Sequence, residues 1–336
     1  MGRRQRQRWI IALVALCLLA TLAWFVQTRL RYDRRFTEFV LPSRAARPTF
    51  ITAGPDGALW FTEMAAARIG RITAGGGISE FALPTANSAP YSIAAGPDGN
   101  LWFLEFDGGR VGRITPAGQI SEFVIPVRGA QPVGIAAGRD GKMWFTEIRS
   151  NRVWRVDSAG AMLSYAIPTR AAMPRMIAAG PDGNMWFTEA APHANAIGRI
   201  TPQGVVTEFR VPTANASFGC IAAGHDGAMW FAEELGERAG RVTMAGVMTE
   251  YAVGAPGSLP TCIAAAPDGA MYMNEGYGNR ILRIAADGTA TAYRIPRPGH
   301  PYGIAAARDG TIWYTDQHRG VIGRFDPGVG RWTGAR

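Results

Sequence analysis

From residue 48 onward the chain repeats one stretch of sequence seven times. Each unit reads Pro-x-x-Ile-Ala-Ala-Gly-Pro-Asp-Gly-x-Leu-Trp-Phe-Thr-Glu, then Gly-Arg-Ile, then Glu-Phe-x-Leu-Pro. The isoleucine near the start of each unit falls at Ile51, Ile93, Ile135, Ile177, Ile221, Ile263 and Ile304, so the spacings are 42, 42, 42, 44, 42 and 41 residues. A period of this length, holding four short alternating segments, suits a β-propeller and not a solenoid of helix pairs. The expected fold is therefore all-β: a seven-bladed propeller of four-stranded blades spanning residues 36–336. In such a ring, positions that repeat seven times hold the fold. Positions that break the repeat are where a ligand site has to be sought.

Strand positions follow from alternation and turns. In the second unit, Ser92–Ala95 is expected as the innermost strand, Leu101–Glu105 as the second, Val111–Thr115 as the third and Ile120–Ile125 as the outer one. An Asp-Gly pair closes the first hairpin of every unit, from Asp56-Gly57 to Asp309-Gly310; tight hairpin turns need positive φ, which glycine adopts freely. The seventh unit ends after its third strand. Phe36–Leu41, with Glu38-Phe39-Val40-Leu41-Pro42 matching Glu80-Phe81-Ala82-Leu83-Pro84, is expected to supply the missing outer strand and close the ring. The tryptophans at 60, 102, 144, 186, 230 and 313, with Tyr272 in the sixth unit, are read as wedges between blades.

Residues 1–35 are of another kind. Four arginines (Arg3, Arg4, Arg6, Arg8) precede an uncharged run from Trp9 to Val26, and Arg29, Arg31, Arg34 and Arg35 follow. The run is near the length of a membrane-spanning helix and longer than the usual core of a cleaved signal. The expectation is one N-terminal transmembrane signal anchor in the inner membrane, with the propeller on the extracytoplasmic, periplasmic side. Charge agrees with this division. Of the 35 basic and 26 acidic residues, the first 35 positions hold eight arginines and Asp33, leaving 27 basic and 25 acidic in the propeller, a net of +2 against +9 for the whole chain. A near-neutral propeller gives no ground for nucleic-acid binding. Cys220 and Cys262 occupy one repeat position in neighbouring blades and are read as small buried hydrophobes rather than as a disulfide or a metal pair.

An acid ends the second strand of every blade: Glu63, Glu105, Glu147, Glu189, Glu233, Glu275 and Asp316. As a repeated set it reads as structural, each acid bonding backbone groups of a neighbouring blade. The residues two before each isoleucine do not repeat: Thr49, Tyr91, Val133, Arg175, Gly219, Thr261 and Tyr302. They should border the funnel mouth, where Arg175 supplies a fixed charge and Tyr91 and Tyr302 supply hydroxyls for a polar or carboxylate ligand.

These units closely resemble the virginiamycin B lyase (streptogramin B lyase) family over about nine-tenths of the chain. The resemblance implies a seven-bladed propeller. It also implies an activity: opening a cyclic depsipeptide by elimination at its ester bond, with a divalent metal such as magnesium. In that family the chemistry sits at Pro-His-x-Ile in the sixth blade and Glu-Pro-His-Gly-Ile in the seventh. This chain has Pro260-Thr261-Cys262-Ile263 and His300-Pro301-Tyr302-Gly303-Ile304. By the resemblance, Thr261 stands for the substrate-binding histidine, His300 for the metal-binding glutamate and Tyr302 for the general base, while Asp316 keeps the metal-binding acid. Exchanging the glutamate for His300 would favour a softer ion than magnesium.

Three readings follow. The first is a membrane-anchored propeller that binds a small or peptide-like ligand, or a protein, at its funnel. The second is an active lyase with Tyr302 as base, Tyr91, Arg175 and Thr261 on substrate, and His300 and Asp316 on a divalent metal. The third, a metal-dependent sugar-lactone hydrolase, lacks converging ligands beyond Asn274.

Overall fold

The structure, a computed structural model, describes residues 35–43 and 45–328. Seven antiparallel four-stranded sheets follow one another around a ring, each with its strands in chain order from the axis outward. The exception is the predicted one: Phe36–Val40 pairs with Val321–Phe325 as the outer strand of the last blade, with Phe36 opposite Phe325 and Val40 opposite Val321. The ring is thus closed by strands from both ends of the described chain. The expected N-terminal membrane segment lies outside the described residues, among which no helix is long and apolar enough to cross a membrane.

In the second blade the strands are Pro90–Ala95, Leu101–Glu105, Arg110–Ile114 and Ile120–Val124. The innermost strand begins two residues earlier than the alternation suggested, because it carries a bulge that alternation cannot register. Pro90 lies opposite Glu105 and Ile93 opposite Phe103, so three steps on one strand match two on the other. The same shift precedes the isoleucine of every blade. A bulge leaves its extra residue out of the ladder and re-aims side chains. It falls where Tyr91, Arg175 and Tyr302 stand.

The repeated tryptophans of the second strands lie between blades, as expected. Trp102 clusters with Ile135, Met143, Phe145 and Val156 of the third blade, and Trp144 with Ile177, Met185, Phe187 and Ile200 of the fourth. The indole also does more than wedge. Trp60 stacks on Phe81 of its own outer strand with centroids 5.6 Å apart, and its Nε1 donates to Asp56 of the Asp-Gly turn at 3.0 Å. Arg71 of the Gly-Arg-Ile motif reaches the same aspartate at 2.7 Å. Burial works to raise the Asp56 pKa, but the bonds from Trp60 and Arg71 outweigh it and hold the carboxyl below its usual value. Gly70 of that motif is required by packing, since a Cβ there would fall 2.1 Å from the Phe61 ring.

Hydroxyls stitch the innermost strands together at the bulge. Thr62 Oγ1 accepts from the Phe50 amide at 3.1 Å and donates to the Tyr91 carbonyl of the next blade at 2.6 Å. Thr146 makes the same bridge from the Gly134 amide to the Arg175 carbonyl, and Thr315 from Gly303 to Thr49. Where the second strand has Leu104 instead, Ser92 Oγ donates to the Val133 carbonyl at 2.5 Å. Asn274 bridges to the carbonyls of Tyr302 and Gly303 at 3.2 and 3.0 Å, so its amide serves the ring. Ala232 lacks any such group, and at that junction Cys220 and Cys262 form a disulfide. The expectation that they pack only as separate small hydrophobes is overturned. Both are buried, but the innermost strands of blades five and six approach to a Cα separation of 4.5 Å, close enough for the sulfurs to bond.

Candidate functional site at the funnel mouth

The bulges bring together residues from distant blades. The hydroxyls of Tyr91 and Tyr302 lie 2.7 Å apart and are hydrogen-bonded to each other. Phe50, from the blade between them, stands edge-on to both rings, with centroids 5.1 Å from Tyr91 and 5.5 Å from Tyr302. Phe106 leans on Tyr91 from the side. Burial, then the neighbouring Tyr91, pushes the Tyr302 phenol well above its usual pKa, and the Arg175 charge only partly offsets this.

Arg175 is close enough to both tyrosines to act on them electrostatically, but its charge is already matched. Its Nη1 donates to the Phe218 carbonyl at 2.8 Å and to Glu234 Oε2 at 3.0 Å. The Ser217 hydroxyl donates to the same carboxylate oxygen at 2.9 Å. Burial opposes the guanidinium charge; Glu234 outweighs it and holds the group above its ordinary value. Glu234 was not singled out from the sequence. The signal was there: the residue after the repeated acid varies from blade to blade (Met64, Phe106, Ile148, Ala190, Glu234, Gly276, Gln317). The test for broken repetition, applied one position further, finds both Glu234 and Phe106.

Beside this group lies a second corner. The His300 ring is 6.2 Å from Tyr302, 4.8 Å from His318 and 5.2 Å from Tyr277. Burial, helped by the His318 charge, lowers the His300 pKa, with Asp316 acting in the opposite direction. The buried Asp316 spends one oxygen on the amides of His300, His318 and Arg319 at 3.1–3.2 Å. Its other oxygen meets no hydrogen-bond donor, and Arg319 Nη1 stands 3.6 Å from the carboxylate. Thr261 joins the two corners. It is 2% exposed, and its hydroxyl donates to the carbonyls of Tyr302 and Pro301 at 3.1 and 3.4 Å. All six residues singled out as site candidates thus form one patch. Of the other funnel-border residues, Thr49 and Val133 are buried. His193, in the longer loop of the fourth blade, bonds the Arg170 carbonyl of the preceding linker at 2.8 Å.

The repeated acids are fully buried beside the innermost strands, as the antiparallel register demands. Only some take backbone donors. Glu147 accepts from the amides of Gln131, Arg149 and Ser150, and Asp316 from the three amides above, whereas Glu63, Glu105, Glu189 and Glu233 meet no donor at either oxygen. The expected bonds to backbone of a neighbouring blade are therefore not the ones formed: the first two acids take amides of their own blade and the linker entering it, and these four need another account.

The sequence profile of the Virginiamycin B lyase family matches residues 25–193 and 174–331. No curated protein matches the chain. Among solved structures, a streptogramin B lyase is 32% identical, with 87% of this chain and 97% of that one covered and a TM-score of 0.82. A virginiamycin B lyase from Staphylococcus aureus is 34% identical over 86% of this chain and 98% of that one, also at TM-score 0.82. A catalytically inactive form of the Staphylococcus aureus enzyme with quinupristin is 33% identical over the same shares, at TM-score 0.81. With the profile spanning nearly all of the propeller and the fold matched along its length, the chain belongs to the virginiamycin B lyase family.

Proposed function

We propose that the protein is a membrane-anchored propeller that takes a small or peptide-like ligand at the funnel mouth and does not carry out its relatives' elimination. The state of Tyr302 carries this reading. Proton abstraction next to a carbonyl needs a base ionised near neutral pH. By the resemblance, Tyr302 takes the place of that histidine, and its phenol is half-buried, bonded to Tyr91 and pushed up in pKa. It is suited to donating a hydrogen bond to a ligand, not to removing a proton. Around it, Phe106 offers partly exposed aromatic surface, and the Arg175–Glu234 pair offers a dipole without net charge.

The residues present do not fit magnesium. Asp316 has one uncommitted oxygen with a guanidinium beside it, and His300 brings nitrogen where magnesium prefers oxygen. Among the described residues no group of three or more His, Cys, Asp or Glu is placed to hold a metal ion. The proposed binding mode therefore routes nothing through a metal.

Anchoring by residues 1–35, with the propeller of residues 36–336 outside the cytoplasm, rests on the apolar run and its flanking arginines. The Cys220–Cys262 disulfide supports that placement, since disulfides persist in oxidising compartments. The test uses the full chain in detergent with quinupristin as probe, with and without Mg²⁺ or Mn²⁺. Calorimetry should show binding weakened about tenfold or more in Arg175→Ala, and mass spectrometry should show no linear product. Metal-dependent linear product that disappears in Tyr302→Phe would establish a lyase instead. No heat of binding from quinupristin would remove peptide-like ligands of this kind and leave a protein partner at the same face.

A further inference from the structure

We infer that the Cys220–Cys262 disulfide is a positioning device for the funnel mouth, standing in for a hydroxyl bridge that blade five has lost. Two of the second strands lack a hydroxyl or amide at the bridging position, and they carry Leu104 and Ala232. At the first, Ser92 supplies the bridge from the innermost strand. At the second, Cys220 occupies the residue equivalent to Ser92, one before the isoleucine, and bonds covalently to Cys262 of the next blade. The same structural problem is met twice from the same repeat position, once by a hydrogen bond and once by sulfur.

The location makes the staple more than general reinforcement. On one side, two residues before Cys220, the Phe218 carbonyl holds Arg175. On the other, Thr261 directly precedes Cys262 and its hydroxyl holds the backbone of Tyr302. Between them Gly219 allows a close approach of the two strands, where a Cβ would fall 1.7 Å from the Thr261 carbonyl oxygen. The disulfide therefore ties the strand that fixes Arg175 to the strand that fixes Tyr302. Its formation removes two protons and two electrons from the two thiols, taken up by a disulfide oxidant of the extracytoplasmic space. Dithiothreitol reverses this, giving a proton back to each cysteine as its own two thiols close to a ring disulfide.

That the positioned groups serve a ligand rests on the function proposed above; the coupling itself does not, and it is measured without ligand. Amide hydrogen exchange is followed by mass spectrometry on the full chain in detergent, oxidised, reduced with dithiothreitol, and as Cys220→Ser with Cys262→Ser. Reduction keeps the inference testable if the double variant fails to fold. Exchange should rise about tenfold or more at Phe218–Ile221, Pro260–Ile263 and Pro301–Gly303, while blades two and three stay unchanged. Ala232→Thr, added to the double variant, should return exchange in those segments towards the oxidised level. Unchanged exchange on reduction overturns the inference. So does a uniform rise through all blades, which would mark a merely global stabiliser. Local opening that Ala232→Thr fails to reverse overturns the equivalence of disulfide and hydroxyl.

Discussion

Blades one, two, four and five treat their buried glutamate in one way, and blades three and six in another. In the first group the outer strand also carries a glutamate, and the two carboxyls face each other: Glu63 with Glu80, Glu105 with Glu122, Glu189 with Glu208, Glu233 with Glu250. The outer member is held by linker residues, as Glu80 is by the Ser43 amide and hydroxyl, and Glu80 also takes Arg68 of the third strand. The inner member has no donor at all. Burial first, then the facing carboxylate, raises its pKa to about 8 in Glu63, Glu189 and Glu233 and about 7 in Glu105. Once protonated, each inner glutamate becomes the donor that its partner accepts. In blades three and six the outer strand has Ser164 and Ala292 instead. There the inner acid finds its own donors, backbone amides for Glu147 and the Arg280 guanidinium for Glu275. The residue on the outer strand thus goes together with the way a repeated acid is satisfied nearer the axis.

Blade seven is the mixed case, and it yields the largest expected effect. Its outer glutamate, Glu38, comes from the other end of the chain and is bridged by both Nη atoms of Arg319 at 2.6 and 2.7 Å. Removing residues 1–42 takes away this ion pair along with the buried Phe36 and Leu41 and the stacking of Phe39 on Trp313. Losing one such core side chain alone costs about 2–5 kcal/mol. Thermal unfolding of this truncation should begin far below that of a protein lacking only residues 1–35. Equal midpoints would mean that Phe36–Val40 does not close the ring.

Next in size is a matched pair of glutamine substitutions. In Glu147→Gln, an amide nitrogen replaces an oxygen that accepts N–H donors, leaving buried donors facing a donor, which costs about 1–3 kcal/mol. In Glu63→Gln the new amide mimics the protonated acid and donates to Glu80, so stability should change by less than about 1 kcal/mol. Urea unfolding of the two variants checks the difference. Equal losses would show that Glu63 carries no proton.

The pH dependence is smaller and has a definite sign. The four inner glutamates have folded pKa values of about 7 to 8, above a reference of 4.5. Between those values the unfolded chain has released protons that the native state keeps, so their stabilising contribution is whole below about pH 4.5 and is lost as pH rises towards 8. Asp56, Asp98 and Asp226 are shifted downward and act oppositely, losing their contribution as pH falls below about 4. His300, lowered by burial, opposes the glutamates as a single group. The unfolding midpoint should therefore peak on the acid side of neutrality. The fall towards pH 8 should flatten when Glu63, Glu105, Glu189 and Glu233 are all changed to glutamine. A midpoint that rises from pH 5 to 8 would contradict the paired carboxyls.

The ring, its closure by Phe36–Val40 and the gathering of Tyr91, Arg175 and Tyr302 were legible because each depends on period or on a break in it. The paired carboxyls were written just as plainly, as Glu63 and Glu80 in the same unit. Reading them needed the knowledge that strands two and four turn these side chains towards each other, and alternation does not carry that. The bulge escaped because one extra residue looks like an ordinary step in a short apolar strand. The disulfide escaped because the distance between neighbouring innermost strands is set by packing around the whole ring, here by Gly219 admitting the Thr261 carbonyl. Glu234 escaped because only the border position was searched for outliers.

The smallest effect tests whether the outer residue alone divides the blades. Ser164 lies opposite Trp154 as Glu80 lies opposite Gly70, so Ser164→Glu places a carboxylate where blades one, two, four and five have theirs. Glu147, however, already accepts from three amides and the Ser150 hydroxyl, and Arg152, which donates to Ser164 at 3.2 Å, can meet the added charge. Local donors should therefore prevail over the new neighbour. The variant is expected to lose at most about 1 kcal/mol at pH 8 through like-charge contact and nothing at pH 4.5, where the introduced group can take a proton. A steeper fall in the unfolding midpoint through pH 7 to 8, like that of one more paired blade, would show instead that a facing carboxylate is sufficient and that the amides around Glu147 are secondary.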